Sequence, residues 1–523
     1  VPAMIIDANS RISLSNNDSS GAVGTTLFGY NAGLSLPVNA INNTFIGHAV
    51  SDASMTDAAD NNTGVGMNSL SALTAGNGNT ALGSHSLYSN TSGNYNVAVG
   101  LSALESNVGA VNNNTAVGYQ SGKVTTGADN TYVGFKAGLG APGAEANNVG
   151  VGSNALLAVT TGSTNTAVGK AALTGLLTGS ANTAIGDASG DGLTDGTHNT
   201  FVGSYSGSTT TSVLYAVAVG QGAMETGNAT TAANGTVAVG YQSLKNVAAG
   251  AGNTAVGYQS GLAMTTAGKC TLIGYGAGKA AMTGDGTTDE TTADGTTAVG
   301  FSALAANVSG IGNVAVGYEA LAAENDGDFN TAVGYQALKA QEGVTGVVGN
   351  TAVGYKSGVA VTSGISNTLV GHQSGLGLQQ GHENVLIGDD TGANLINAIE
   401  NTAVGMKALH SDTQGDGTTA IGHKALYYQE VADGVSYNTG VGRKAGWQNQ
   451  TGTHNTWVGY NTGTGGGGNN SNNVGIGSLA LETISTGSNN VAIGYLASNL
   501  TWGDSNVSIG KDALKGSSFT DDT

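Results

Sequence analysis

The residue types that usually carry catalysis or bind cofactors are few in this chain and scattered. Gly138-Leu139-Gly140-Ala141-Pro142-Gly143 has the spacing of a dinucleotide-binding loop. That loop works only between a strand and a helix whose N-terminal N–H groups face a pyrophosphate. No helical periodicity follows it, and a chain with 88 glycines produces such spacings by chance. Gly169-Lys170 and Gly510-Lys511 lack the upstream glycine of a phosphate-binding loop, and His382-Glu383 lacks a second histidine at the spacing that sets two imidazoles on one helix face. The insertion carrying Asp285, Asp289, Glu290 and Asp294 offers carboxylates to calcium but not in EF-hand order, which favours a solvated loop. The lone Cys270 can form neither an intrachain disulfide nor a cysteine-based zinc site. The expectation is a protein that is not an enzyme, with no catalytic, cofactor-binding or metal-binding residues and no cofactor.

What the sequence has instead is a repeat. Motifs of the form Asn-Thr-Ala-Val-Gly recur 28 times, and 16 of the 27 intervals between their closing glycines are 17 residues. A period this short fits one coil of a β-solenoid, because a helix-turn-helix repeat needs about thirty residues or more. With the glycine numbered zero, position −3 is always Thr or Val and position −1 always Val, Ile, Leu or Phe, an extended β-branched segment. Position −4 is Asn in 22 units, where copies could stack as an amide ladder. Position +3 is small in 27 units, which suggests a second tight corner.

Positions −2 and +4 exchange volume. Position +4 is Leu or Met in 14 units, Gly in 12 and Ser in two. Position −2, usually Ala, is bulky in eight units (Leu27, Phe45, Tyr132, Phe201, Leu272, Leu369, Leu386 and Trp457), and seven of these have Gly at +4. Close-packed interiors require this compensation, since both cavities and overpacking destabilise. The two positions should therefore touch, on facing strands of a flattened coil. Val333, Leu338, Phe201 and Trp457 are expected as structural core, Val333 through an outward-pointing −1 ladder buried only once other copies cover it. That ladder is apolar throughout and needs cover. Other copies of the chain are the economical source, and a homotrimer is expected.

The motif Asn330-Thr331-Ala332-Val333-Gly334-Tyr335-Gln336-Ala337-Leu338 resembles the repeat of many phage tail-fibre proteins, and Val491-Ala492-Ile493-Gly494 resembles the head repeat of YadA-like trimeric autotransporter adhesins. Ile6 to Leu14 is similar to segments preceding repeats in phage fibres. The resemblance covers about residues 25–514 and implies a trimer of left-handed parallel β-rolls; the period of 17 is longer than the adhesin one, and the Asn sits one place nearer the strand.

The expected organisation is a lead-in at 1–24, a β-roll domain of 28 units at 25–514 with a longer loop at 275–299, and a tail at 515–523 that could continue into a further domain. With 15 Lys and Arg against 34 Asp and Glu, a formal charge of −19, no nucleic-acid or anionic-membrane footprint is expected. No apolar run is long enough for membrane insertion. Tyr fills position +1 in ten units, including Tyr335; a stacked ladder covering a corner is the plainer reading and sugar stacking the sharper one. His48, His372 and His423 share that position, where solvated loop histidines are expected and an axial metal site is the sharper alternative. Of three tryptophans, Trp457 follows the volume rule, whereas Trp447 and Trp502 fall outside the strand motif and are candidates for a contact surface.

The functional expectation is an extracellular trimeric fibre or adhesin shaft, part of a phage tail fibre, that presents attachment surfaces to a host glycan or protein. A bacterial surface adhesin or a self-assembling extracellular filament is the alternative. A solenoid glycan-active enzyme ranks below both, because no fixed repeat position shows the clustered carboxylates or basic residues it would need.

Overall fold

The structure, a computed structural model, describes residues 10–13, 23–283, 294–431, 434–465, 468, 470–499 and 503–516. The architecture is all-β, a parallel β-solenoid with about 17 residues per turn. The one helical segment among the described residues is a 3₁₀ turn at Thr231–Ala233.

The chain divides into two compact units, 1–253 and 254–523. In the first, thirteen coil strands run from Thr26–Tyr30 to Val237–Val239, and Ser10–Ser13 pairs antiparallel with Thr26–Tyr30. The second holds fifteen coil strands, from Thr254–Val256 to Val507–Ile509, plus a short parallel pair, Gly327–Asp328 with Gly346–Val347. Within each unit the register is position on position: Thr183, Ala184 and Ile185 pair with Thr200, Phe201 and Val202.

Each coil contributes one strand to the main sheet, positions −3 to −1 and longer only at Thr26–Tyr30, and not the two facing strands anticipated from the spacing. Position +4 lies in a run of turns instead. The motif glycine turns the chain with φ of 121–143°, and positions +2 and +4 then take left-handed φ, as at Asn68 (57°) and Leu70 (54°). Glycine is not required at these two places because inter-coil hydrogen bonds hold them. The Asn68 N–H donates back to the His48 carbonyl (2.9 Å), and the Leu70 N–H donates forward to the Ser86 carbonyl (3.1 Å). The alternation continues the sheet ladder around the corner, so the turn backbone stays paired. No Val, Ile or Thr occupies +2 in any unit, as left-handed φ demands.

The volume exchange is a direct contact. A Cβ at Gly207 would lie 2.8 Å from Phe201 Cδ1, and one at Gly190, in the preceding coil, 2.8 Å from Phe201 Cδ2. A bulky −2 side chain can thus span two +4 glycines, its own and the previous one: Tyr132 between Gly122 and Gly138, Trp457 between Gly446 and Gly463; Phe45, with Ser51 at its own +4, lies against Gly33 of the previous coil. This accounts for +4 glycines that follow Ala at −2, which the within-unit rule left unexplained. Phe201, Leu338 and Trp457 are fully buried.

The Asn at −4 forms the second interior ladder. In successive coils the Asn384 and Asn401 Nδ2 atoms donate to Asn367 Oδ1 (3.0 Å) and Asn384 Oδ1 (3.1 Å), and each backbone N–H donates to the same oxygen. Nδ2 of Asn384 also donates to the Ala398 carbonyl (2.8 Å). Donors and acceptors are consumed in an environment without water, which a buried amide requires. Cys270 takes the −4 place in its coil, where burial raises its thiol to about 12.

Candidate interaction surface

Three kinds of outward-facing residue remain after the interior is accounted for. The first is the −1 ladder. Ile185, Ile273, Ile421 and Ile493 are each about two-fifths exposed (38–41%), and Val333 is half-buried beside half-buried Thr331. Val333 therefore belongs to the outer strand face and not to the interior of its own coil.

The second is the +1 row. In the second unit Tyr258, Tyr275, Phe301, Tyr318, Tyr335, Tyr355 and His372 form one continuous stack with centroid separations of 4.8–5.3 Å and interplanar angles of 7–14°. In the first unit His48 stacks on Tyr30 (5.2 Å). His48 and His372 at +1 thus extend aromatic stacks, whereas His423 falls between Met406 and Arg443 in that row. Ring faces inside the stack are occupied by neighbouring rings, which leaves edges and hydroxyls outward and no face for a sugar except at the ends. His372 Nδ1 lies 2.8 Å from Asp389 Oδ1, and the adjacent Asp390 pairs with Lys407 (3.7 Å), so this exposed group is an ion-pair cluster with its cation supplied by the protein.

The third lies in the second unit around Trp447. Three coils carry Lys at +2 and an aromatic ring at +5: Lys407-Ala408-Leu409-His410, Lys424-Ala425-Leu426-Tyr427 and Lys444-Ala445-Gly446-Trp447. The Lys444 ammonium sits 4.3 Å from the Trp447 ring centroid, Lys424 5.6 Å from Tyr427, and the Arg443 guanidinium 5.5 Å from Tyr460. Lys407 has Asp390 as partner, whereas no carboxylate among the described residues pairs with Lys424, Arg443 or Lys444. Burial first, then Lys407 and Lys424, lowers His410 below the ordinary histidine range; desolvation and then Lys424, Arg443, Lys444 and Lys407 do the same to His423.

In the coils that follow, position +5 is Thr464 and then Glu482, and +6 is Gly465. The missing bulk leaves a surface groove of about 410 Å³ with Lys444, Trp447, Asn461 and Glu482 on its walls. Glu482 Oε2 accepts from Asn499 Nδ2 (2.9 Å). Trp447 Nε1 and Asn461 Oδ1 are shielded from water without a hydrogen-bond partner.

Trp447, singled out from sequence, is thus a half-buried groove wall, while Trp502 lies outside the described residues. The sequence reading missed the lysines: basic residues do cluster at a fixed position, +2, in three neighbouring coils, and indexing that position would have found them. Gly138 seats the Tyr132 ring, and Gly169 and Gly510 are motif glycines whose lysines follow at +1. Of the acidic insertion, Asp285, Asp289 and Glu290 lie outside the described residues, and Asp294 accepts the Gly268 N–H. No protein-family model matches the chain, and no curated protein matches it.

Proposed function

We propose that this chain is a structural segment of an extracellular homotrimeric fibre, a tail-fibre-type shaft built from left-handed coils, whose copies associate through the outer strand face. The observation that carries the proposal is the −1 ladder. Isoleucine, valine and leucine side chains recur there coil after coil, half-buried or about two-fifths exposed, next to Thr or Val at −3. Soluble monomers rarely expose a contiguous apolar patch beyond roughly a few hundred Å². Copies of the same ladder are complementary to it by symmetry. The left hand, the trimer and the tail-fibre assignment rest on the resemblance of the repeat to phage-fibre and adhesin-head motifs.

Mass photometry at micromolar concentration tests it, with a species of about three times 51.1 kDa expected. Val333→Asp would bring carboxylates together in a covered layer and should shift the population toward monomer without unfolding the coils. A folded wild-type monomer at that concentration overturns the reading, and so does an open-ended filament.

A further inference from the structure

We infer that the groove beside Trp447 binds an acidic saccharide, a sugar of the uronic-acid kind. Its carboxylate meets Lys444, with the charge of Lys424 one coil away adding to the attraction, its ring edge lies against Trp447, and its hydroxyls donate to Glu482. Four observations point there together.

The first is charge. In a chain of net charge −19, Lys407, Lys424, Arg443 and Lys444 gather in three neighbouring coils, and only Lys407 has a carboxylate partner among the described residues. Like charges stacked one coil apart repel each other, and an anion relieves that repulsion. The second is the aromatic wall. Lys444 lies over the Trp447 ring, which orients the cation at the mouth of the groove. The third is shape: the row of +5 rings stops at Trp447, and the small residues Thr464 and Gly465 leave room before Glu482 closes the far side.

The fourth distinguishes among anions. The far wall offers acceptors, the oxygens of the Glu482 carboxylate. A ligand facing them must carry hydroxyl or amide donors as well as negative charge. A sugar acid has both, whereas the phosphodiester backbone of DNA has no donor to place there. Base insertion is also blocked, because the His410 and Tyr427 rings already stack on each other at 4.8 Å and 10°. The inference does not rest on the association proposed above, since +2 and +5 lie in the turn and not on the strand face.

The test is calorimetric titration of the full chain at low ionic strength. The probes are hexagalacturonic acid, its fully methyl-esterified form, and an oligothymidylate of equal charge. Binding of the acid alone is expected, weakened by added salt and lowered about tenfold or more in Lys424→Gln/Lys444→Gln and in Trp447→Ala. Lys170→Gln, in the first unit, should leave it unchanged. Circular dichroism and thermal melting of each variant report whether the coils remain intact. Conservative Trp447→Phe, which keeps an apolar wall, should retain part of the affinity, so a folding defect in the alanine variant does not decide the outcome. Absence of binding, equal affinity for the methyl ester or the oligothymidylate, or unaltered affinity in the lysine variant each overturns the inference. Particle mass measured on the same samples separates it from the association reading: a monomer that still binds the acid removes the latter and leaves this one standing.

Discussion

Leucine and glycine occupy one backbone geometry in this chain. At +4, Leu338 has φ of 48° and Gly207 has φ of 63°, so what decides between them is the neighbouring ring and not the local dihedral. Gly207→Leu should therefore cost about 1–3 kcal/mol through collision with Phe201, read as a lower midpoint in guanidinium unfolding. The motif glycines differ. At Gly334, φ is 143° and a Cβ would meet the Gly354 carbonyl oxygen, 2.2 Å away, so Gly334→Ala should destabilise more than Gly207→Leu in the same assay. At −4, Asn384→Ala leaves the Asn367 side-chain oxygen and the Ala398 carbonyl short of donors, at about 1–3 kcal/mol for the unsatisfied groups. The Asn ladder and the volume exchange were legible in the sequence because both act through side chains, whose sizes and polarity are written residue by residue. The left-handed positions were not legible, because residues as different as Asn68 and Lys136 are driven into that geometry by hydrogen bonds from adjacent coils.

At the scale of the coil, one strand and a run of turns replace the two strands inferred from spacing. Contact between −2 and +4 required only that both point inward, and a turn satisfies that as well as a strand. Coils also differ in what they bury. Where Thr418 interrupts the Asn ladder, Gln429 bridges the gap, donating to Asp412 Oδ2 (2.6 Å) and to Thr418 Oγ1 (3.0 Å) while accepting from Asn438 Nδ2 (3.0 Å). Glu145 is less well served. Thr126 N–H donates to its Oε1 (3.2 Å), Oε2 has no partner, and burial pushes the carboxyl from 4.5 to about 7. The folded coil keeps that proton up to about pH 7, whereas the unfolded chain releases it near pH 4.5, so between these values the unfolded state binds fewer protons. Stability contributed by the protonated acid is complete below the lower value and is lost as pH rises through the window. Glu145→Gln should flatten that part of the stability profile, measured by denaturant unfolding at a series of pH values.

For the whole molecule, the two proposed interactions respond to salt in opposite directions. Copies carrying −19 each repel one another, so added salt should strengthen association through the apolar ladder, detectable as a rising trimer fraction in mass photometry. The same salt should weaken saccharide binding at the lysines. The repeat made the solenoid recognisable from sequence, and the apolar −1 position made the need for cover recognisable. The groove was half legible, since Trp447 stood out as an exception while its lysines were hidden inside an otherwise regular position. The two-coil span of bulky −2 side chains such as Phe201 and Trp457 also bears on how such a chain can lengthen or shorten over evolutionary time. A duplication or deletion cut at the motif glycines would separate Phe201 from Gly207, or Trp457 from Gly463, and set the ring against whatever +4 residue the junction brings. The heritable unit that recombines without penalty therefore runs from one +4 residue through the next, so that Phe201 travels with both Gly190 and Gly207, out of phase with the motif that the eye picks out.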